Sequence, residues 1–156
     1  MVVVGDSTPV IVVLGDCDSP TQVLNLATME FTPGPSLGTR REDAAVARLG
    51  RRKALVMGGF GAGKTTEILD LVNWVSVPGP DMIEGRWGAV AVPLDESGRV
   101  IVIGGNDCGA GFLKSTEIYD PATNSFLQGP SMSTVRCYAA AVRLDDRRIL
   151  VIGGEG

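Results

Sequence analysis

Residues 116–132 read TEIYDPATNSFLQGPSM, and the chain carries this stretch twice more: TEILDLVNWVSVPGPDM over residues 66–82 and TQVLNLATMEFTPGPSL over residues 21–37. Thr21, Thr66 and Thr116 correspond, as do Pro35, Pro80 and Pro130, then Leu37, Met82 and Met132, at spacings of 45 and 50 residues. Working outward, an arginine lies four residues beyond the last landmark each time: Arg41, Arg86, Arg136. Small apolar residues follow in register (44–47, 89–92, 139–142), and a leucine stands eight residues past each arginine: Leu49, Leu94, Leu144. A polar turn then leads into an apolar run closing on paired glycines, ALVMGG to Gly59, VIVIGG to Gly105 and ILVIGG to Gly154. VIVVLGD from Val10 is a weaker copy, with Gly15 and Asp16 in the glycine place. Five landmarks at one shared offset identify an internal repeat, and a repeat of this length is one supersecondary unit that buries its apolar surface only against its neighbours.

Each element reads as a strand. Ile101, Val102 and Ile103 are β-branched and unbroken, as expected of a strand buried on both faces. The glycine pair lets the chain turn where φ is positive or a side chain would clash. DPATN, from Asp120 to Asn124, is a turn built from residues with turn preferences. Four short strands per copy make one unit.

The arginine, the strand closing on Gly-Gly, the Glu117-Ile118-Tyr119-Asp120 strand, Asn124 with Phe126, and the Pro-x-Met together resemble the kelch repeat, whose period is ~50 residues and whose product is a propeller blade. The resemblance covers essentially the whole chain. The third copy is the most faithful; the second has Leu69 for tyrosine and keeps Trp74, and the first has Leu24 and Met29 in the aromatic places. It implies an all-β, partial kelch-type β-propeller: about three four-stranded blades plus a two-stranded half blade. The units are 1–37, 38–82, 83–132 and a partial 133–156, forming one domain over 1–156. Val2 to Val4 is expected as an innermost strand, and strands are expected near 10–15, 53–58, 99–104 and 148–153. Because propellers close with about four to eight blades, the isolated chain is expected to self-associate through open blade faces, or to be a marginally stable, truncated fragment of a larger kelch protein.

Composition narrows the function. Hydrophobic residues make up 44% of the 156, enough to fold, and 21 glycines with 9 prolines suit many tight turns. A net charge of -4 argues against a broad nucleic-acid footprint, and the basic cluster of Arg40, Arg41, Arg48, Arg51, Arg52 and Lys53 reads as a solvated loop and strand edge. No apolar run approaches the ~18 residues of a membrane helix, and residues 1–5 lack the basic and apolar regions of a signal peptide. Cys17, Cys108 and Cys137 are odd in number and unclustered, so they read as free thiols in a reducing compartment, with the cytoplasm as default. Cys137, beside Arg136, is the one with an argument for a lowered pKa. The chain has no histidine, which removes the commonest general base and metal ligand. It also excludes the copper chemistry of kelch-like oxidases similar to galactose oxidase. No cofactor, no metal and no enzymatic activity are expected.

GGFGAGKT, starting at Gly58 and ending at Thr65, satisfies the P-loop pattern and follows an apolar strand. Read alone, it gives the alternative of a nucleotide binder using Lys64 and Thr65. The repeat explains each part differently: Gly58 and Gly59 are the doublet, residues 60–64 its variable loop, and Thr66 starts a strand. A helix over 64–74 would decide for the phosphate site, because without one no helix N-terminus faces the anion. Asp16, Asp18, Asp95, Glu96, Asp145 and Asp146 are read as turn acids rather than a catalytic or calcium site. The resemblance implies instead a scaffold that docks a protein or peptide on one face, with Arg41, Arg86 and Arg136 on the loops lining it, each also a candidate for anchoring its own loop.

Overall fold

The computed structural model describes residues 21–156 throughout, together with the backbone strands Val2–Val4 and Val10–Val13. The glycine-place residues Gly15 and Asp16, and the sites raised at Cys17 and Asp18, lie outside the described residues. Three four-stranded and two two-stranded antiparallel sheets are formed by the described residues, with no helix among them. The first sheet holds β1 (Val2–Val4), β2 (Val10–Val13), β3 (Gln22–Asn25) and β4 (Glu30–Pro33). The second holds β5 (Ala45–Leu49), β6 (Lys53–Met57), β7 (Thr66–Asp70) and β8 (Val75–Pro78). The third holds β9 (Val90–Pro93), β10 (Val100–Ile103), β13 (Thr116–Asp120) and β14 (Ser125–Gln128), and the fourth β15 (Ala140–Arg143) with β16 (Ile149–Ile152). A small hairpin, β11 (Asn106–Asp107) with β12 (Gly111–Phe112), lies in the loop after the third sheet's glycine pair and has no counterpart in the second repeat. The fold is a partial β-propeller, and the innermost strands β1, β5, β9 and β15 are sequential neighbours.

Alternation along each second strand explains why these strands are apolar without interruption. In β6, Ala54 and Val56 pack toward the first sheet with Val23 and Leu69, while Leu55 and Met57 face the third sheet's Val100, Val102, Tyr119 and Phe126. In β10 the parity repeats: Ile101 and Ile103 face the fourth sheet's Ile149 and Val151. A sheet covered on both sides needs apolar residues at odd and even positions alike.

Register places the aromatic positions differently from the sequence reading. Tyr119 pairs with Phe126, Leu69 with Ser76, and Leu24 with Phe31. Trp74 and Met29 therefore align with Asn124, at the end of the turn between third and fourth strands. All three take positive φ, 56°, 58° and 49° respectively. Asparagine suits that conformation; tryptophan and methionine do so at a cost. The turn is held instead by the last residue of each third strand: Asn25 Oδ1, Asp70 Oδ1 and Asp120 Oδ1 accept from the N–H two residues on, at 2.8, 2.8 and 2.9 Å.

The segment from Gly58 to Thr65 leads into a strand, Thr66–Asp70, and not into the helix that the phosphate-site alternative requires. Within the loop, the Gly58 N–H donates to the Thr65 carbonyl and the Ala62 N–H to the Gly59 carbonyl, and the Thr65 hydroxyl donates to Ala62. The Gly59 and Phe60 N–H groups donate to the Arg86 and Glu42 carbonyls of neighbouring loops, and Lys64 Nζ reaches Asp81 at 3.5 Å.

Candidate protein-interaction face

The loops before the first strand and after the second strand of each sheet meet at one end of the propeller. Arg41 and Arg86 are buried there. The Arg41 Nε donates to Glu67 at 3.0 Å and its Nη1 donates to the carbonyls of Gly58 and Thr65. Arg86 repeats this with Glu117 at 3.1 Å and the carbonyls of Gly104 and Ser115, and adds Glu84 and the Ser115 hydroxyl. Each glutamate also accepts two backbone N–H groups of the crossover from the preceding sheet: Gly38 and Thr39 for Glu67, Ile83 and Glu84 for Glu117. One arginine–glutamate pair thus fixes the loop, the glycine turn and the crossover together. Burial raises the Glu67 carboxyl's pKa, but hydrogen bonds from the Ser76 hydroxyl, the Gly38 N–H and Arg41 outweigh it and leave the group below its ordinary value. A second lock also repeats: the Thr66 and Thr116 hydroxyls donate to the carbonyls of Pro80 and Pro130 at 2.7 and 2.8 Å, and Thr21 does so to Pro35.

The backbone of Arg86 and of Arg136 serves the preceding sheet. The Gly59 N–H donates to the Arg86 carbonyl and the Gly105 N–H to the Arg136 carbonyl, both at 2.8 Å. Gly58 and Gly104 hold φ of +62°, and a Cβ on either would run into those same carbonyls and the methyl of Met82 or Met132.

Arg136 differs from the other two. It bonds the Gly153 carbonyl, as they bond Gly58 and Gly104, but its guanidinium is at the surface and makes no ion pair among the described residues. Of the three arginines expected to line the face, two are turned inward as struts and the third is open.

The residue pair after each arginine joins the loops, with Asp43 and Tyr138 exposed and Gly88 and Cys137 buried. Glu42, Trp87 and Cys137 make antiparallel bridges to Phe60, Asn106 and Glu155, the residues following each glycine pair. The next residues, Asp43, Gly88 and Tyr138, all take positive φ. They connect from sheet to sheet: the Gly88 N–H donates to the Asp43 carbonyl at 2.9 Å and the Tyr138 N–H to the Gly88 carbonyl at 2.7 Å. Phe60, Trp87 and Tyr138 then pack edge to face, with ring centroids 6.1 and 5.8 Å apart. Phe60 is 53% and Tyr138 52% exposed. The Tyr138 hydroxyl donates to Asp43 Oδ2 at 2.7 Å, spanning the second and fourth sheets, and that bond pushes its pKa to about 12.

Sequence reasoning missed this cluster because its members follow different landmarks. The offset of two after each arginine carries the signal, but Asp43, Gly88 and Tyr138 share a conformation and not a side-chain type.

The remaining candidates are accounted for locally. Cys137 is buried, its thiol donating to the Trp87 carbonyl at 3.6 Å, and burial pushes its pKa up, against the lowered value argued from Arg136. Cys108 is a free, exposed thiol. Asp95 accepts from the Ser97 hydroxyl, from Arg99 and from two backbone N–H groups, which pull its pKa to about 2. Asp145 likewise holds Arg147 N–H and Arg148.

Residues 97–133 match the family model described as the kelch motif. That span runs from the turn before β10, through β13 and β14, to the residue after Met132. No curated protein matches the chain.

Proposed function

We propose that this chain, a kelch-repeat protein by the motif over 97–133 and by its two further copies of the same landmarks, is a non-catalytic scaffold that docks a protein partner on the loop face around Phe60, Trp87 and Tyr138. The observation that carries the reading is the aromatic cluster: three rings from three successive sheets converge, and two are half exposed. Interfaces are enriched in such residues, because a rigid ring offers large contact area at low entropic cost. Tyr138 sits at φ +56°, a conformation unusual for a bulky side chain, and such strain clusters at binding sites. Arg41 and Arg86 serve this face by holding its loops in shape, while Arg136 offers a cation at its edge.

A reducing, cytoplasmic setting suits the exposed Cys108 thiol.

Capture with the intact chain, compared against a Phe60→Ser/Tyr138→Ser variant of unchanged melting temperature, tests the docking face. The variant should lose the partners that the parent retains; equal recovery by both would place docking elsewhere.

A further inference from the structure

The aromatic cluster carries a carboxylate that the arginine struts do not use. Asp43 and Tyr138 stand at one position of the repeat, with Gly88 at that position between them. A Cβ on Gly88 would meet the Cys137 sulfur at 2.5 Å and the Tyr138 ring at 3.3 Å. Glycine there lets the ring lie across the third sheet's loop and donate its hydroxyl to Asp43 Oδ2 at 2.7 Å. Asp43 adjoins both ends of the row of rings: its neighbour Glu42 bridges Phe60, and its own carboxylate holds Tyr138.

That carboxylate is exposed, and its Oδ1 accepts from no group among the described residues. The cations around it are engaged. Arg40 pairs with Glu42 at 3.3 Å, and Arg136 donates to the Gly153 carbonyl. Glu155, whose backbone bridges Cys137, adds to the negative field: after the Asp43 bond and burial, its charge helps raise the Tyr138 pKa. The chain as a whole has a net charge of -4, which favours encounter with a basic surface.

Exposed rings beside an open carboxylate are what a cation seeks. The electron-rich ring face attracts the charge, and the acid accepts its N–H groups. A guanidinium does both at once, because it is planar, stacks on rings and is more weakly hydrated than an ammonium. We infer that the loop face takes an arginine presented by a flexible segment of the partner, its guanidinium lying against Tyr138 and donating to Asp43 Oδ1. This inference rests on the docking face proposed above and names the chemistry of what docks there.

The probe is the peptide acetyl-Gly-Ala-Arg-Ala-Gly-amide, titrated into the full chain carrying isotope-labelled tryptophan. The chain's two tryptophans give two indole signals. The Trp87 indole N–H is buried without a partner among the described residues, so its signal reports on the rings around it, and Trp74, in the outer turn of the second sheet, is the internal control. The Trp87 signal should shift saturably and the Trp74 signal should stay. A peptide with citrulline for arginine keeps the shape without the charge and should bind about fivefold more weakly or worse. Asp43→Asn should weaken the arginine peptide by a similar factor and leave the citrulline peptide unaffected. Asparagine suits the φ of +53° and still accepts from Tyr138, so the loop keeps its shape and loses only the charge. An unmoved Trp87 signal, equal binding of the two peptides, or full affinity in Asp43→Asn would each overturn the inference. Capture separates it from the reading beneath it. Partners lost from Phe60→Ser/Tyr138→Ser but fully kept by Asp43→Asn would leave the docking face standing and overturn the arginine; partners kept by both would overturn the face, and the arginine with it.

Discussion

Replacing Glu117 by alanine tests the internal strut most directly. Its side chain and that of Arg86 are both fully buried, and the carboxylate accepts from Arg86 Nε at 3.1 Å and from the Ile83 and Glu84 N–H groups at 2.6 and 3.0 Å. Removing one member of a buried ion pair costs about 3–5 kcal/mol; the Glu84 carboxylate, which also meets Arg86 at 2.8 Å but is part exposed, offsets the stranded charge only in part. The two backbone N–H groups are only part-buried and turn to water, so they add little. The loss is a large share of the about 5–15 kcal/mol that holds a domain together. At about 2–4 °C per kcal/mol for a chain of this length, melting should fall by about 6–20 °C. Guanidinium unfolding followed by circular dichroism measures the free energy. The double variant Arg86→Leu/Glu117→Leu should lose much less than the two single variants together, since no charge is then stranded. A Glu117→Ala loss below about 1 kcal/mol, or strictly additive single and double variants, would refute the reasoning.

Gly58→Ala should destabilise by more than Gly153→Ala in thermal melts: both hold positive φ, at about 1–2 kcal/mol for a side chain there, but only at Gly58 does the new methyl meet the Arg86 carbonyl, while Gly153 has open space. The depressed Glu67 pKa gives stability that is fully present above the unfolded carboxyl value, about 4.3, and is lost as pH falls through the lower folded value; Glu67→Gln should flatten that part of the acid-unfolding curve. Lys64→Ala should change stability by less than about 0.5 kcal/mol, because its bridge to Asp81 is exposed, and calorimetry with ATP and magnesium should give no saturable heat for either form.

The repeat made most of the fold legible. Strands expected near 53–58, 99–104 and 148–153 lie at Lys53–Met57, Val100–Ile103 and Ile149–Ile152, each closing on glycines of positive φ. That signal is strong because a sheet covered on both faces leaves an unbroken apolar run, and at Gly58 and Gly104 positive φ coincides with a carbonyl that any Cβ would meet. The β11–β12 hairpin was not legible, since it falls where the copies differ in length. Nor was the register of Trp74 and Met29, because a side chain tolerated at positive φ for want of a clash leaves no compositional trace. At the site, the arginines were found but their direction was not. Direction depends on Glu67 and Glu117, residues 26 and 31 positions away, and only the fold brings each within reach.

The join between neighbouring sheets rests on a main-chain amide, at Gly59 or Gly105, and a main-chain carbonyl, at Arg86 or Arg136. Main-chain groups do not change when codons do. The strands on either side are therefore free to diverge, which is how Leu69 and Ser76 stand where the next copy has Tyr119 and Phe126. Length can drift as well. Of the five residues by which the spacing to Thr116 exceeds that to Thr66, four fall between the second glycine and the threonine, in the segment that forms the β11–β12 hairpin. Inheritance in such a chain acts on two kinds of position: a few that every duplicate must keep to attach to its neighbour, and many, clustered on the loops, where each duplicate can acquire a surface of its own.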